Sequence, residues 1–233
     1  MISTSSNKSL SFFLPFYNEQ DSLEKTVTLI LQIAPALLSE FEILLINDGS
    51  TDGSLAIASA LSERSKHIRI INFEKNQGFG SAYLAGVQNA RYGFAQYLST
   101  DGDVEADELR QIIQAWDGNS SLLQYAENPQ DRHFSRFLLS KIFTSVTNFL
   151  SHSHWPYYNG FNIYSLKNKF RLEQRDFGFA TQAYVLLSLF QSPEKTILLT
   201  TKSRFNDSGS KALTFRNISK AFLFFCFIIR NKL

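Results

Sequence analysis

The chain has 233 residues, 44% hydrophobic and 19% charged, with a formal net charge of +2; it is too apolar for a disordered chain and sized for one large domain. The longest unbroken apolar run, residues 221–229, falls well short of the ~20 residues that span a bilayer, which argues against an integral membrane protein. A single cysteine, Cys226, excludes an internal disulfide framework and Cys-rich zinc sites, and the absence of a signal-peptide pattern around residues 12–16 leads us to expect a cytosolic setting.

Residues 9–14 predict a short apolar strand, and Leu23, Val27, Ile30, Leu31, Ala34 and Leu38 then recur at helical spacing. Residues 41–46 form a β-rich run closed by the turn signal Asn47-Asp48-Gly49-Ser50, followed by a helix over 53–64. A strand at 67–73, a helix at 78–92, a strand at 94–99 and a helix at 105–116 complete an alternation that implies βαβ units and a mostly parallel sheet. Beyond it the pattern loosens: a strand at 121–126, an amphipathic helix at 132–150, a strand at 160–164, a helix at 178–190, an extended segment at 195–203 and a helix at 212–232. Charge divides along the same line, with net −6 over residues 1–116 and net +8 over 117–233, which suggests a split of labour.

Ligands of parallel α/β sheets sit beyond the carboxyl ends of the strands. The loops at those ends carry Pro15, Tyr17, Asn18 and Glu19; then Asp48 and Asp52; then Asn76, Gly78 and Gly80; then Asp101, Gly102 and Asp103. Taken singly, each has an ordinary reading as turn or helix-cap chemistry. Taken together, Asp101 and Asp103 at i, i+2, continued by Glu105, converge three carboxylates without a local cation. Such a row is costly unless a cation joins it, and all-oxygen ligands suit Mg²⁺ or Mn²⁺. Ala106 and Ile112 exclude a calcium EF-hand. A divalent ion beside a glycine-rich loop is what a nucleotide diphosphate needs as a leaving group.

The segments Phe13-Leu-Pro-Phe-Tyr-Asn-Glu19, Ile46-Asn-Asp-Gly-Ser-Thr-Asp-Gly53, Asn76-Gln-Gly-Phe-Gly-Ser-Ala82 and Asp101-Gly-Asp103, in this order, resemble family 2 glycosyltransferases of the GT-A fold. Within that family they look most like the dolichyl- or polyprenyl-phosphate sugar synthases. The resemblance implies an α/β, Rossmann-like, mostly parallel sheet flanked by helices in one domain, with an amphipathic C-terminal helix. It further implies that Pro15, Tyr17, Glu19 and Asp48, with Gly78 in the glycine loop, bind a nucleotide-diphosphate sugar, and that Asp101 reaches both ribose and metal. Asp103 would ligate the metal and act in catalysis, and Glu105 would be a further metal ligand. In the second half, Ser135-Arg136 stands near Arg132 and Lys141, while Arg204, Gly209, Ser210 and Lys211 repeat a late family signature at altered spacing. The family's Gly-Phe-Arg motif reads here Asn159-Gly-Phe-Asn162, without the arginine, and its Gly-x-Phe-Gln segment reads Gly178-Phe-Ala-Thr-Gln182.

A saccharide hydroxyl needs a carboxylate base, whereas a lipid phosphate, already ionised near neutral pH, needs none. Only Glu173 and Asp176 fall near the expected acceptor site, so the basic second half favours a polyprenyl phosphate held by Arg136, with Arg204 on the departing diphosphate. A saccharide or lipid hydroxyl acceptor, with Asp176 or Glu173 as base, is the alternative, and a non-catalytic binding module a third. The expected division is a domain over 1–215, with residues 1–126 binding donor and 127–215 acceptor, and a helix over 216–233 that lies on a membrane surface. Trp155, Pro156, Tyr157 and Tyr158 are candidates to join that interface. The reading therefore places the protein in the cytoplasm, peripheral on the cytoplasmic face of a membrane. Nucleic acid is not an expected partner because the basic residues are dispersed, and His152 and His154 lack the companions of a zinc set.

Overall fold

The computed structural model describes residues 7–101, 104–127, 134–189, 196–202 and 215–231. Strands and helices alternate as β1 (Ser9–Phe16), α1 (Leu23–Leu37), β2 (Glu40–Asn47), α2 (Ser54–Arg64), β3 (Ile68–Asn72), α3 (Phe79–Asn89), β4 (Phe94–Tyr97) and α4 (Ala106–Ala115). There follow β5 (Ser121–Ala126), α5 (Phe134–Ser151), β6 (Ile163–Ser165), α6 (Thr181–Leu189), β7 (Thr196–Thr201) and α7 (Phe215–Asn231). The strands form one seven-stranded sheet in the order β3-β2-β1-β4-β6-β5-β7. All neighbouring pairs are parallel except those of β6, which runs antiparallel to both β4 and β5. Two reversals cancel, so β5 and β7 point the same way as β1 to β4, and six carboxyl ends share one edge.

Continuous apolar runs such as Phe12-Phe13-Leu14 in β1 and Ile43-Leu44-Leu45-Ile46 in β2 are the mark of strands covered on both faces. Alternation sorts their side chains. Phe12, Leu14, Ile43 and Leu45 face α1, α2 and α4 through Val27, Ile30, Ala58, Leu109 and Ile112. Phe13, Leu44 and Ile46 face a second core built on α3, α6 and α7. There the Phe13 ring meets Tyr83 edge-on at 4.9 Å. Each such buried aromatic contributes roughly 1.5–3 kcal/mol through area removed from water. α7 is part of this second core, since Phe224, Phe227 and Ile228 are buried in it.

The expected doubly covered α/β sheet is what the chain forms, and its first-half elements fall within a few residues of the predicted spans. Two second-half elements differ. The strand predicted at 160–164 is confined to Ile163–Ser165, because side chains of the two segments replace ladder bonds before it. Asn162 Oδ1 accepts from the Gln124 amide at 2.9 Å, and Gln124 Oε1 accepts from the Phe161 amide at 2.9 Å. The helix predicted from 178 begins as a 3-10 turn over Gly178–Ala180, with α6 proper starting at Thr181. Asp176 Oδ1 accepts from the Gly178 amide and Thr181 Oγ1 from the Phe177 amide, which favours the tighter turn before the helix starts.

Candidate active site at the carboxyl edge of the sheet

From β1 the chain builds outward to β2 and β3, then returns to place β4 on the other side of β1. Loops leaving β1 and β4 therefore diverge, opening a crevice at the topological switch point, where α/β sheets bind ligands. Pro15 and Tyr17 line one side of this point and Thr100 and Asp101 the other. Thr100 Oγ1 donates to the Pro15 carbonyl at 3.3 Å and closes the base of the crevice. Pro15 is buried, Tyr17 stands exposed at the rim and Asp101 is exposed.

Reciprocal bonds zip the loops after β1 and β2 together. The Asn18 amide donates to Ser50 Oγ at 3.1 Å while Asn18 Oδ1 accepts from the Thr51 amide at 2.8 Å. Ser54 Oγ accepts from the Glu19 amide at 2.8 Å, and Gln20 Oε1 accepts from the Gly53 amide at 3.0 Å. Asn18 adopts a left-handed backbone (φ 57°), which asparagine tolerates well. Asp52 Oδ1 accepts from the Ser54 hydroxyl and amide and Oδ2 from the Gln20 amide, so the carboxyl is held below the usual carboxylate range, chiefly by the hydroxyl bond. The Glu19 carboxylate accepts from Ser22 Oγ at 2.7 Å, at the entrance to α1.

Asp48 ties this pair of loops to the glycine loop after β3. Its side chain is buried, with Oδ1 accepting from the Gln77 amide at 2.7 Å and Oδ2 from the Gly78 amide at 3.0 Å. Gly49 lets the two segments approach: at φ 68°, a Cβ there would lie 2.6 Å from the Asn76 amide nitrogen. Gly80, in the first turn of α3, is packed so closely that a Cβ would overlap Asp176 Oδ1 and Thr181 Oγ1. Phe79 and Phe179 meet at 5.2 Å across the same contact. Asp176 accepts from Lys220 Nζ of α7 as well as from the Gly178 amide, and Glu173 pairs with Arg175 at 2.6 Å.

The carboxyl end of β5 lies on the same edge. Tyr125 and Ala126 face Phe137, Lys141 and Thr144 of α5 and the loop residue Tyr157 around a pocket of about 180 Å³. Lys141 Nζ sits 4.9 Å above the Phe137 ring, and Arg136 is half-buried on the same helix. Asn162, at the position of the family's motif arginine, is buried and bonded to the Gln124 amide and the Tyr164 hydroxyl. It braces the sheet.

The structure thus brings Pro15, Tyr17, Glu19, Asp48, Gly78 and Asp101 to one edge and commits the carboxylates of Glu19 and Asp48 to loop-building bonds. Glu105 stands at the N-terminus of α4, lining a cleft with Lys25 and Thr28 of α1. Among the described residues no three potential ligands form a metal cluster. Asp103, Arg132, Arg204, Gly209, Ser210 and Lys211 lie outside the described residues. Sequence reasoning missed the zipper of Asn18, Gln20, Ser50 and Ser54, for which the only signal was a density of small hydrogen-bonding side chains after each strand. It also missed Lys220 as the partner of Asp176, forty-four residues away.

Residues 11–175 match the family model for Glycosyl transferase family 2. Among curated proteins, a poly-beta-1,6-N-acetyl-D-glucosamine synthase of Staphylococcus aureus (strain MSSA476) is 28% identical over 129 residues, covering 55% of this chain and 30% of that protein. An uncharacterized glycosyltransferase of Synechocystis sp. is 28% identical over 107 residues, covering 46% and 34%. The chain therefore spans about a third of the length of the curated relatives it matches. Among solved structures, glucosyl-3-phosphoglycerate synthase from Mycobacterium tuberculosis with Mn²⁺, UDP and phosphoglyceric acid superposes with a TM-score of 0.65 at 13% identity, covering 95% of this chain and 80% of that one. TarS 1-349 of S. aureus gives a TM-score of 0.60 at 15% identity, covering 84% and 59%. At such identities the likeness concerns the fold alone.

Proposed function

The chain belongs to glycosyl transferase family 2, and from that premise we propose that it transfers a sugar from a nucleoside-diphosphate sugar to a hydroxyl of a saccharide or lipid acceptor. The observation that carries this reading is the joining of the strand-end loops: Thr100 to Pro15, Asn18 to Thr51, and Asp48 to Gln77 and Gly78. Together they hold the strand-end loops side by side at the switch point, the place where α/β sheets bind nucleotides. Fold neighbours solved with UDP and with UDP-glucose support a nucleotide-sugar donor, and the likeness to staphylococcal poly-beta-1,6-N-acetyl-D-glucosamine synthases supports a glycan acceptor.

In this reading the acceptor oxygen forms a bond to the anomeric carbon on the face opposite the diphosphate, whose bond to that carbon breaks with inversion. The acceptor proton passes to a carboxylate, Asp176 or Glu173. Asp176 is the better placed, because it touches the first turn of α3 and is fixed there by Lys220 and the Gly178 amide. Asp101 and Asp103, joined by Glu105 if the start of α4 turns toward them, would supply the oxygen ligands that Mg²⁺ or Mn²⁺ takes, and such an ion would neutralise the diphosphate as it leaves. Arg204 is proposed for the same negative charge. Residues 1–126 would serve the donor and 127–215 the acceptor.

A specific observation favours a second reading, transfer to a polyprenyl phosphate. Both candidate bases carry a cationic partner, while Lys141 lines the pocket at the carboxyl end of β5 and Arg136 stands on the same helix. Steady-state kinetics separate the two. For a hydroxyl acceptor, Asp176→Asn lowers kcat by about 10²–10⁴-fold and Arg136→Ala changes little. For a phosphate acceptor, Arg136→Ala raises the acceptor KM by roughly tenfold or more, through loss of a bond worth ~1.5–3 kcal/mol, and Asp176→Asn keeps its kcat.

A further inference from the structure

Helices α5 and α7 lean on one another through Phe143, whose ring lies 6.1 Å from Phe224 and 5.7 Å from Phe225. On the solvent side of that seam each helix carries an apolar stripe. Leu138, Ile142 and Phe149 are exposed on α5, and Ile218, Phe222 and Ile229 on α7. Both stripes follow the spacing i, i+4, i+11, which stacks side chains along one helix face. Phe225 fills the i+7 position of the α7 stripe and is the residue that meets Phe143, so that stripe borders the seam. Leu139, one turn before Phe143 and also exposed, joins the α5 stripe to it. Of thirteen exposed large hydrophobics among the described residues, five lie on α5 and four on α7. Scattered exposed leucines need no explanation, but a ridge that gathers most of them marks an interaction surface.

The charge pattern selects the occupant. Neither α5 nor α7 contains an acidic residue. The exposed cations Lys141 and Arg230 directly adjoin Ile142 and Ile229 in the stripes. A second copy of the chain would bring these like charges together, whereas an anionic bilayer offers both an apolar interior and opposite charge. No described helix is long and apolar enough to cross a membrane, and amphipathic helices of this kind lie in the interface plane. We infer that the α5–α7 ridge docks the protein on the surface of an anionic phospholipid bilayer. The inner side of α7 meanwhile holds Asp176 through Lys220, next to Gly80. Docking therefore sets the carboxyl edge close to the lipid surface, where a lipid-borne acceptor would be presented.

Co-sedimentation of the whole chain with vesicles tests this. Vesicles of phosphatidylcholine with about 30% phosphatidylglycerol should bind the protein roughly tenfold or more tightly than phosphatidylcholine alone, with binding weakening as salt rises. Ile142→Ser with Phe222→Ser should remove most of that binding. Leu198→Ser, at an exposed site on β7, should leave it unchanged. All three side chains involved are more than half exposed, so circular dichroism should report wild-type folds. As a second, charge-only variant, Lys141→Gln with Arg230→Gln should flatten the salt dependence. Absence of binding to the anionic vesicles, or binding by the double serine variant equal to wild type, would overturn the inference. So would a wild-type dimer in sedimentation velocity that the serine variant turns into monomer, since a second copy would then occupy the ridge. The measurement uses no sugar donor, so its failure leaves the transfer reaction standing, and a failure of transfer leaves the docking surface standing.

Discussion

Asp48→Ala separates a loop-building role from a ligand-binding one. The carboxylate is 4% exposed and accepts from the amides of Gln77 and Gly78 at 2.7 and 3.0 Å. A charged acceptor makes each bond worth ~1.5–3 kcal/mol. Alanine removes both acceptors and leaves two amides in a part-buried loop, where water replaces some of the loss. Because water replaces part of the summed loss of about 3–6 kcal/mol, we expect destabilisation of roughly 2–4 kcal/mol. For a chain of this length each kcal/mol lowers Tm by about 2–4 °C, so thermal unfolding should move down by roughly 5–15 °C. Asp48→Asn, which keeps one acceptor oxygen, should lie about halfway. Differential scanning fluorimetry gives the shift, and calorimetric titration with UDP on the same samples gives the nucleotide affinity, which should fall as the glycine loop loosens. An unchanged Tm accompanied by lost UDP binding would refute the reasoning, because it would mean that the carboxylate contacts ligand and does not hold the loop.

Two further outcomes follow from the same geometry. Gly80→Ala forces a methyl group against Asp176 and Thr181, so it should push α3 away from the 178–180 turn and cost about 1–3 kcal/mol in denaturant unfolding; a wild-type midpoint would show that these side chains move aside freely. Burial holds the phenols of Tyr83 and Tyr164 above the usual 10.0. Their protons stay on in the folded state where the unfolded chain releases them, so the stability they contribute is intact below pH ~10 and drains as pH rises beyond it. Tyr83→Phe removes one of these phenols and its 3.1 Å bond to Tyr164. It should cost about 1 kcal/mol at neutral pH yet lose less stability than wild type between pH ~10 and 11; equal alkaline slopes in urea titrations would contradict this.

How much was legible in the sequence depended on how local the signal was. Runs such as Ile43 to Ile46 announce a strand buried on both faces, and Asn47-Asp48-Gly49-Ser50 announces its end, because burial and turn chemistry act over a few residues. The same locality placed Pro15, Tyr17, Asp48, Gly78 and Asp101 at strand ends before any coordinates. What the sequence concealed is long-range. Nothing local says that Asp176 will pair with Lys220, or that Asn162 will brace Gln124 and shorten β6. Nor does local sequence show that α7 is core on one side through Phe224 and Phe227 and solvent-facing on the other through Phe222 and Ile229. An aromatic-rich helix of that kind reads equally as a core element and as an interfacial one, and its structure combines both.

The central claim is that the carboxyl edge around the β1/β4 switch point holds a nucleoside diphosphate with a divalent cation. Calorimetric titration of the whole chain with a panel of nucleoside diphosphates, each with and without Mn²⁺, tests it most directly. The account predicts one saturable site for one of them that requires the metal, and loss of that site in Asp103→Ala at an unchanged Tm. Failure of every nucleoside diphosphate to bind in the presence of Mn²⁺, or full metal-dependent binding by the Asp103→Ala protein, would contradict it.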